Sequence, residues 1–210
     1  KYGSTTQFAD IASGSQWLRP KSLVVDAPAE LVRRSFHQPI GTPALTELIQ
    51  PHEQVLIVTS DITRYTGSEI YLPLLVEELN LIGVADQQIS ILIALGIHRQ
   101  QTAAEHRKIL GTLYGRVAVY DHACDDPQQL VSLGSTDSGL PVEINRRVVE
   151  ADRVIVTGTI GFHYFAGFGG GRKGLVPGVA SRETCMQSHF AVFNPVTVGG
   201  KHPQATVGVL

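Results

Sequence analysis

Cysteine is scarce in this sequence, since the 210 residues include only Cys124 and Cys185. The two do not form a CxxC pair, and two thiols in a chain of this length do not make a disulfide framework. A domain of this size buries about 70% of the surface of its unfolded chain, so it needs no disulfide or metal to fold. A reducing compartment is the simpler interpretation, and we expect a cytoplasmic protein.

Excess charge and long hydrophobic runs are also missing. The formal net charge is −2, which gives no electrostatic basis for binding nucleic acid or an anionic membrane. The longest apolar run, residues 89–97, is far shorter than the roughly 20 residues that cross a bilayer. Residues 1–18 lack the apolar core of a signal peptide. We therefore expect neither a nucleic-acid nor a membrane partner, and one domain over residues 1–210.

Short apolar strands alternate with helices along the chain. β-branched runs predict strands at 22–25, 54–59, 89–95, 116–120 and 153–157. Apolar spacing and capping residues predict helices at 29–36 with Asp26 as N-cap, and at 43–49, 68–81, 102–110 and 144–150. Continuous apolar strands separated by helices are typical of a parallel sheet covered on both faces. We predict an α/β fold with a doubly wound, mostly parallel, Rossmann-like sheet.

Polar side chains follow these strands at the points where they end. The residues are Asp61 and Arg64, His98 and Arg99, Asp121 and His122, and His163. Ligands bind outside the carboxyl ends of the strands in such sheets, so we expect these side chains to face one crevice. The planar guanidinium of Arg64 can hold a carboxylate with two hydrogen bonds. Asp61 could serve the site or cap the helix that follows it.

A segment rich in glycine and aromatic residues, 161–174, breaks the alternating pattern. It contains six glycines and five aromatic or histidine residues, a composition that packed helices and strands do not use. Arg172 precedes Lys173 and Gly174 follows it, so the segment fails the phosphate-binding Walker pattern. Gly169-x-Gly171-x-x-Gly174 has the letters of a dinucleotide fingerprint, but no strand leads into it and no helix follows. A solvated glycine loop remains the alternative to a loop that contacts a ligand closely.

Four segments stand out together: SDITR at 60–64, ALGIHR at 94–99, HYFAGFGGGRK at 163–173 and PGVASRE at 177–183. In combination they resemble the nickel-dependent lactate racemase family. The similarity runs from about residue 21 to the end of the chain, and the third segment is long and specific. The resemblance implies an isomerase that acts on a small 2-hydroxy acid, lactate or a relative. It also implies that the chain is the N-terminal, cofactor-carrying domain and that the family's C-terminal domain is absent from it.

The resemblance further implies a cofactor. Family members carry a nickel pincer nucleotide that is derived from nicotinic acid mononucleotide and linked to a lysine through a thioamide. Lys173 matches that lysine, and His189, sixteen residues later, matches the histidine that binds nickel. We assign Asp61 and the segment Gly169, Gly170, Gly171 and Arg172 to the cofactor site. The enzymes that build the cofactor are expected partners.

Two further histidines of the family act as acid/base residues, and they match His98 and His163, while Arg64 matches the arginine that holds the substrate carboxylate. Racemisation needs a base for each face of C2, and imidazole suits both steps because its pKa is near neutrality. Tyr65 and Ile97 depart from the family's usual residues, so the substrate pocket is expected to differ.

Two other functions stay open at this point. One is a hydrolase that binds zinc through His98, His163 and His189, with water in the open position. This leaves Lys173 and the glycine segment unexplained. The other is a nucleotide-binding module without catalytic activity.

Overall fold

The computed structural model describes residues 5–16, 26–163 and 166–191. In chain order the elements are α1 (Pro28–His37), α2 (Leu45–Leu48), β1 (Val55–Ser60), α3 (Ser68–Ile82), β2 (Ile89–Ala94), α4 (Ala103–Leu110), β3 (Ala118–Asp121), β4 (Leu130–Ser135), β5 (Pro141–Asn145), α5 (Arg147–Glu150), β6 (Arg153–Val156), β7 (Phe162–His163), β8 (Gly167–Phe168) and α6 (Arg182–Phe190). Short 3-10 turns occupy Ile62–Arg64 and Gly171–Gly174.

Four parallel strands form the central sheet in the order β3-β2-β1-β6. The register pairs Ile57 of β1 with Ile91 of β2 and, on the other side, with Ile155 of β6. Parallel strands need crossover connections, and the helices between them serve that purpose. All four carboxyl ends therefore lie at one edge of the sheet, where the loops that follow the strands meet.

Side chains of β1 alternate between two apolar cores, because successive residues of a strand point to opposite faces of a sheet. Val55 and Ile57 enter the larger core, which includes side chains of α3 and α4. Leu56 and Val58 enter a smaller core together with Val179. Each fully buried side chain of this kind stabilises the fold by about 1.5–3 kcal/mol. Both faces of the sheet are covered, and the predicted α/β fold with a parallel sheet is confirmed.

The helix boundaries follow the local capping chemistry. Thr102 and Glu105 form the predicted capping box of α4, since the Thr102 hydroxyl accepts from Glu105 N and the Glu105 carboxylate accepts from Thr102 N at 2.7 Å. The predicted N-cap of α1 is wrong: Ala27 occupies that position, and Asp26 instead pairs with Arg34 at 2.8 Å. The predicted strand at 22–25 lies outside the described residues.

An antiparallel hairpin of β4 and β5 was not predicted, and part of it replaces the start of the expected helix at 144–150. Ile144 pairs with Val131, and Asn145 pairs with Leu130. The helix begins only at Arg147, whose N–H donates to the Asn145 side chain at 3.1 Å. The Asn145 N–H donates to Val179 O at 2.8 Å, which holds this residue extended.

No helix in the described part of the chain is long and apolar enough to cross a membrane.

Candidate active site

A cleft of about 630 Å³ opens at the carboxyl ends of the central strands, a size typical of small-molecule sites. The predicted site residues that line it are Asp61, Arg64, His98, Gly169, Gly170, Lys173 and His189. They come from the turn after β1, the loop after β2, the glycine segment and α6. Three predicted residues, His163, Gly171 and Arg172, are not among the described residues that form its wall.

A histidine and a buried carboxylate form a pair in this cleft. Nδ1 of His98 lies 2.5 Å from Oδ2 of Asp61, and the Asp61 side chain is 1% exposed. An ionised carboxylate can only accept hydrogen bonds, so Nδ1 carries the proton. Nε2 of the neutral ring then keeps its lone pair, which is the arrangement of a general base held by a carboxylate.

Asp61 also shapes the turn that follows β1. Its Oδ1 accepts hydrogen bonds from Thr63 N at 3.1 Å, from Arg64 N at 3.2 Å and from the Thr63 hydroxyl at 2.7 Å. Both interpretations of this residue therefore hold, because one oxygen caps the turn and the other binds the histidine. The turn places Arg64 in the wall of the cleft.

Lys173 lies in the short Gly171–Gly174 turn, where its N–H donates to Gly170 O at 3.2 Å. Burial lowers the pKa of the Lys173 amine, and the positive charge of Arg64 lowers it further. A lower pKa leaves more of the amine uncharged at neutral pH, and the uncharged amine is the nucleophilic form. The site thus favours a lysine that can form a covalent link.

His189 is held by its own helix. Ser181 caps α6, since its hydroxyl accepts from Thr184 N at 3.2 Å. One turn before the histidine, Cys185 O lies 2.6 Å from His189 Nδ1. A carbonyl only accepts, so Nδ1 carries the proton and Nε2 keeps the lone pair that a metal ion would need.

His163 occupies the β7–β8 hairpin beside the cleft. Desolvation lowers the pKa of its imidazole, and the electrostatic influence of Lys173, Arg64 and His189 lowers it further. Nδ1 of His163 accepts from Ala166 N at 3.3 Å. The neutral ring therefore carries its proton on Nε2, in contrast to His98 and His189.

Close backbone approaches explain several glycines of the segment. A Cβ at Gly174 would lie 2.5 Å from a methyl of Val156, and one at Gly170 would lie 2.9 Å from Thr159 O. A 3-10 turn follows Gly170 where a dinucleotide fingerprint needs the first turn of a long helix. The segment therefore does not form that motif. Gly170 and Gly174 pack closely against Thr159 and Val156, whereas Phe162 of the same segment is 95% exposed.

Three residues expected at the crevice lie elsewhere, and that expectation was wrong. Arg99 pairs with Glu105 at 2.8 Å on the surface. Asp121 turns away from the cleft to bind His106 at 2.8 Å. His122 is buried, and its Nε2 donates to Ala180 O at 2.8 Å. A position after a strand brings a residue to the right edge, but local partners decide where its side chain points.

Sequence reasoning missed Cys185, which lines the cleft with its Sγ 3.8 Å from His189 Nδ1. The signal was available, because residues four apart on a helix share a face. It also missed a group of hydroxyls around Tyr71, whose oxygen lies 2.8 Å from that of Thr66 and 3.2 Å from that of Thr157. This second group depends on contacts between distant segments and leaves no sequence pattern.

Within residues 5–16, 26–163 and 166–191, no three histidine, cysteine, aspartate or glutamate side chains are grouped closely enough to hold a metal ion. The described residues thus do not form the zinc site that a hydrolase using His98, His163 and His189 requires. A metal with one protein ligand and other donors from a cofactor needs no such group.

A comparison with protein families shows to which of them the chain is related. A model described as the lactate racemase N-terminal domain matches residues 2–199. The chain belongs to the lactate racemase family. The resemblance inferred from the four sequence segments is thereby confirmed.

Two curated members of the family have similar sequences. The lactate racemase of Thermoanaerobacterium thermosaccharolyticum is 36% identical over 182 residues, which cover 86% of this chain and 41% of that protein. The lactate racemase of Lactiplantibacillus plantarum is 38% identical over 169 residues, which cover 78% of this chain and 39% of that protein. The chain thus spans about two fifths of the length of the curated relatives that it matches.

Solved structures agree with this membership. The lactate racemase apoprotein from T. thermosaccharolyticum superposes with a TM-score of 0.70 at 36% identity, over 75% of this chain and 38% of that one. A protein from Thermotoga maritima superposes with a TM-score of 0.60 at 24% identity, over 76% of this chain and 42% of that one. The second likeness shows a shared fold and nothing further.

Proposed function

We propose that the protein of which this chain is a part is a racemase of a small 2-hydroxy acid and uses a nickel pincer nucleotide. The observation that carries the proposal is the His98–Asp61 pair in one cleft with Lys173, Arg64 and His189. Family membership supports the racemase activity. Lactate is the substrate that the relatives' names give, and for this chain we propose the wider class.

Arg64 is the group suited to bind the substrate carboxylate, because the residue lines the cleft and a guanidinium offers a planar pair of donors. When the substrate carboxylate is bound to Arg64, the C2 hydroxyl remains available to the neighbouring imidazoles. The Nε2 lone pair of His98 accepts the hydroxyl proton from one enantiomer. The Asp61 carboxylate stabilises the imidazolium that results, since it already binds Nδ1 at 2.5 Å.

His163 is the matching acid/base residue for the other face of C2. Its neutral ring carries the proton on Nε2, because Nδ1 accepts from Ala166 N. A neutral imidazole is not an acid near neutral pH, so His163 supplies a proton to the keto oxygen only after its ring has been protonated. The lowered pKa of His163 makes that imidazolium a stronger acid. Racemisation in the opposite direction requires His98 to return the proton that it has taken.

The residues of the cleft also fit the proposed cofactor. A Lys173 amine with a lowered pKa suits the covalent link, and Nε2 of His189 suits nickel, which accepts imidazole and sulfur donors. The cleft volume of about 630 Å³ accommodates a mononucleotide and a small acid. When bound, the nucleotide would supply the hydride-transfer chemistry at C2.

The other proposals concern location and partners. Both cysteines are free and buried, so we propose a reducing, cytoplasmic location. The partners proposed are the 2-hydroxy acid, the cofactor-building enzymes and the remaining domain of the protein. A binding module without activity is the competing function. The paired His98, which such a module would not need, favours the enzyme.

The test is the intact mass of the full-length protein, expressed together with the cofactor-building enzymes, and its nickel content. We expect an added mass of nucleotide size on Lys173, about one nickel per chain and racemisation of a 2-hydroxy acid. Lys173→Arg is the matched control, because it keeps the positive charge but cannot form the amide-type link. An unmodified Lys173 without nickel, under conditions that load a known family member, would refute the cofactor. A loaded protein that racemises no 2-hydroxy acid would refute the activity.

A further inference from the structure

Gln101 joins two loops of the cleft that are far apart in sequence. Its side-chain Oε1 accepts a hydrogen bond from Ile62 N at 3.0 Å. Ile62 directly follows Asp61 in the turn after β1, whereas Gln101 ends the loop after β2 that carries His98. One amide oxygen therefore connects the backbone beside the carboxylate to the loop that carries its histidine partner.

The backbone of Gln101 is itself anchored to a third strand. Its N–H donates to Oδ2 of Asp121 at 2.7 Å, and Oδ1 of that carboxylate lies 2.8 Å from Nε2 of His106. Asp121 ends β3, and its side chain is only 11% exposed. The chain of contacts runs from the end of β3 through Gln101 to the turn after β1, and none of its members is a cofactor or substrate ligand in the proposed function.

We propose that Gln101 is a positioning residue that holds His98 and Asp61 at bonding distance. The separation of 2.5 Å between their side chains leaves little tolerance for a shift of either loop. Without the Gln101 acceptor, Ile62 N loses its partner and the turn is released from the histidine loop. Its effect on catalysis rests on the proposed function, whereas its effect on the His98–Asp61 pair does not.

Side-chain length provides a sharp test. Gln101→Asn keeps the amide but shortens it by one methylene, so that it no longer reaches Ile62 N. Gln101→Glu keeps the reach and an accepting oxygen, and should restore the contact. Gln100→Asn is the matched control, because it makes the same change one residue earlier at an exposed position.

The first measurement is the proton NMR spectrum of the 210-residue chain. A proton in a short bond between imidazole and carboxylate is strongly deshielded and exchanges slowly, and Asp61→Asn identifies its signal by removing it. We expect that signal to vanish in Gln101→Asn and to persist in Gln101→Glu and Gln100→Asn. A thermal melt of each variant reports its folding. Persistence of the signal in folded Gln101→Asn would overturn the proposal, as would its loss in folded Gln100→Asn.

The second measurement is racemisation by the loaded full-length protein. Gln101→Asn should lower kcat/KM by about ten- to a hundredfold, the usual effect of misplacing a catalytic group by about 1 Å, and Gln101→Glu should recover most of it. If the wild type does not racemise, the proposed function fails and the spectrum alone decides the role of Gln101. Unchanged kcat/KM in Gln101→Asn of an active enzyme would overturn the positioning role.

Discussion

Replacing Asp61 with asparagine should invert the protonation of His98 without altering the shape of the site. The asparagine oxygen can still accept from Thr63 N and Arg64 N, as Oδ1 of the aspartate does. Its NH₂ group then faces Nδ1 of His98 in place of Oδ2. Because this nitrogen only donates, Nδ1 must become the acceptor and Nε2 must take the proton. The lone pair that would accept the substrate proton is thereby lost.

The size of the effect follows from the role of the base. General acid-base catalysis contributes roughly 10²- to 10⁴-fold, and the same change beside the histidine of a serine protease lowers kcat about 10⁴-fold with its geometry intact. We therefore expect a fall in kcat of about 10²- to 10⁴-fold, or about 2.7–5.4 kcal/mol in the barrier. Stability should change far less, by about 1 kcal/mol, because most contacts of the buried side chain are kept.

Two assays check this prediction. Chiral chromatography of a 2-hydroxy acid gives kcat for the loaded full-length protein, and ¹⁵N NMR of the ring nitrogens in the 210-residue chain reports which of them carries the proton. Asp26→Asn is the control, because it makes the same substitution at an exposed residue paired with Arg34. The reasoning is refuted if Nε2 of His98 remains unprotonated in Asp61→Asn, or if kcat stays within about threefold of the wild type.

Two further predictions concern stability. Burial lowers the pKa of His122 below the usual value for histidine, so the unfolded chain binds the proton more readily. The stability contributed by neutral His122 is therefore lost as pH falls below about 6.5. In urea unfolding, the stability advantage of the wild type over His122→Gln should shrink between about pH 7.5 and about pH 5.5, and a constant difference would contradict this. Gly174→Ala should lower the free energy of unfolding by about 1–3 kcal/mol through overlap with Val156. Gly161→Ala, where a Cβ meets nothing within 4 Å, should change it by less than about 0.5 kcal/mol, and equal effects of the two substitutions would refute the packing argument.

Much of the fold could be predicted from local patterns. The strands of the central sheet and helices α3 and α4 carry continuous apolar runs or capping pairs such as Thr102 and Glu105, and the structure has them within one or two residues of the predicted bounds. The β4–β5 hairpin was not predicted because most of β4 is exposed and shows no alternation of apolar and polar residues. Its pairing with distant residues, including the bridge between Ile144 and Ala180, is a tertiary property.

Several residues of the site could be predicted from the sequence, but the orientation of their side chains could not. The rule that ligands bind at the carboxyl ends of parallel strands brought Asp61, Arg64 and His98 to one edge, and all three line the cleft. The same rule failed for Arg99 and Asp121, because Arg99 pairs with Glu105 and Asp121 contacts His106 outside the cleft. A position directly after a strand places a residue at the carboxyl edge of the sheet. The nearest complementary side chain then decides the direction in which the residue points.

The protonation of the three histidines is what separates a cleft with suitable residues from one prepared for chemistry. His98 and His189 donate from Nδ1, one to a carboxylate and one to a carbonyl of its own helix, whereas His163 accepts at Nδ1 from a backbone N–H. Each assignment depends on a single partner atom, and only that of His189 comes from a nearby residue of a regular helix. For His98 the partner is Asp61, 37 residues away in the turn after β1. Gln101 fixes the distance between that turn and the loop that carries His98. It therefore matters to the chemistry although it lies outside every recognised motif.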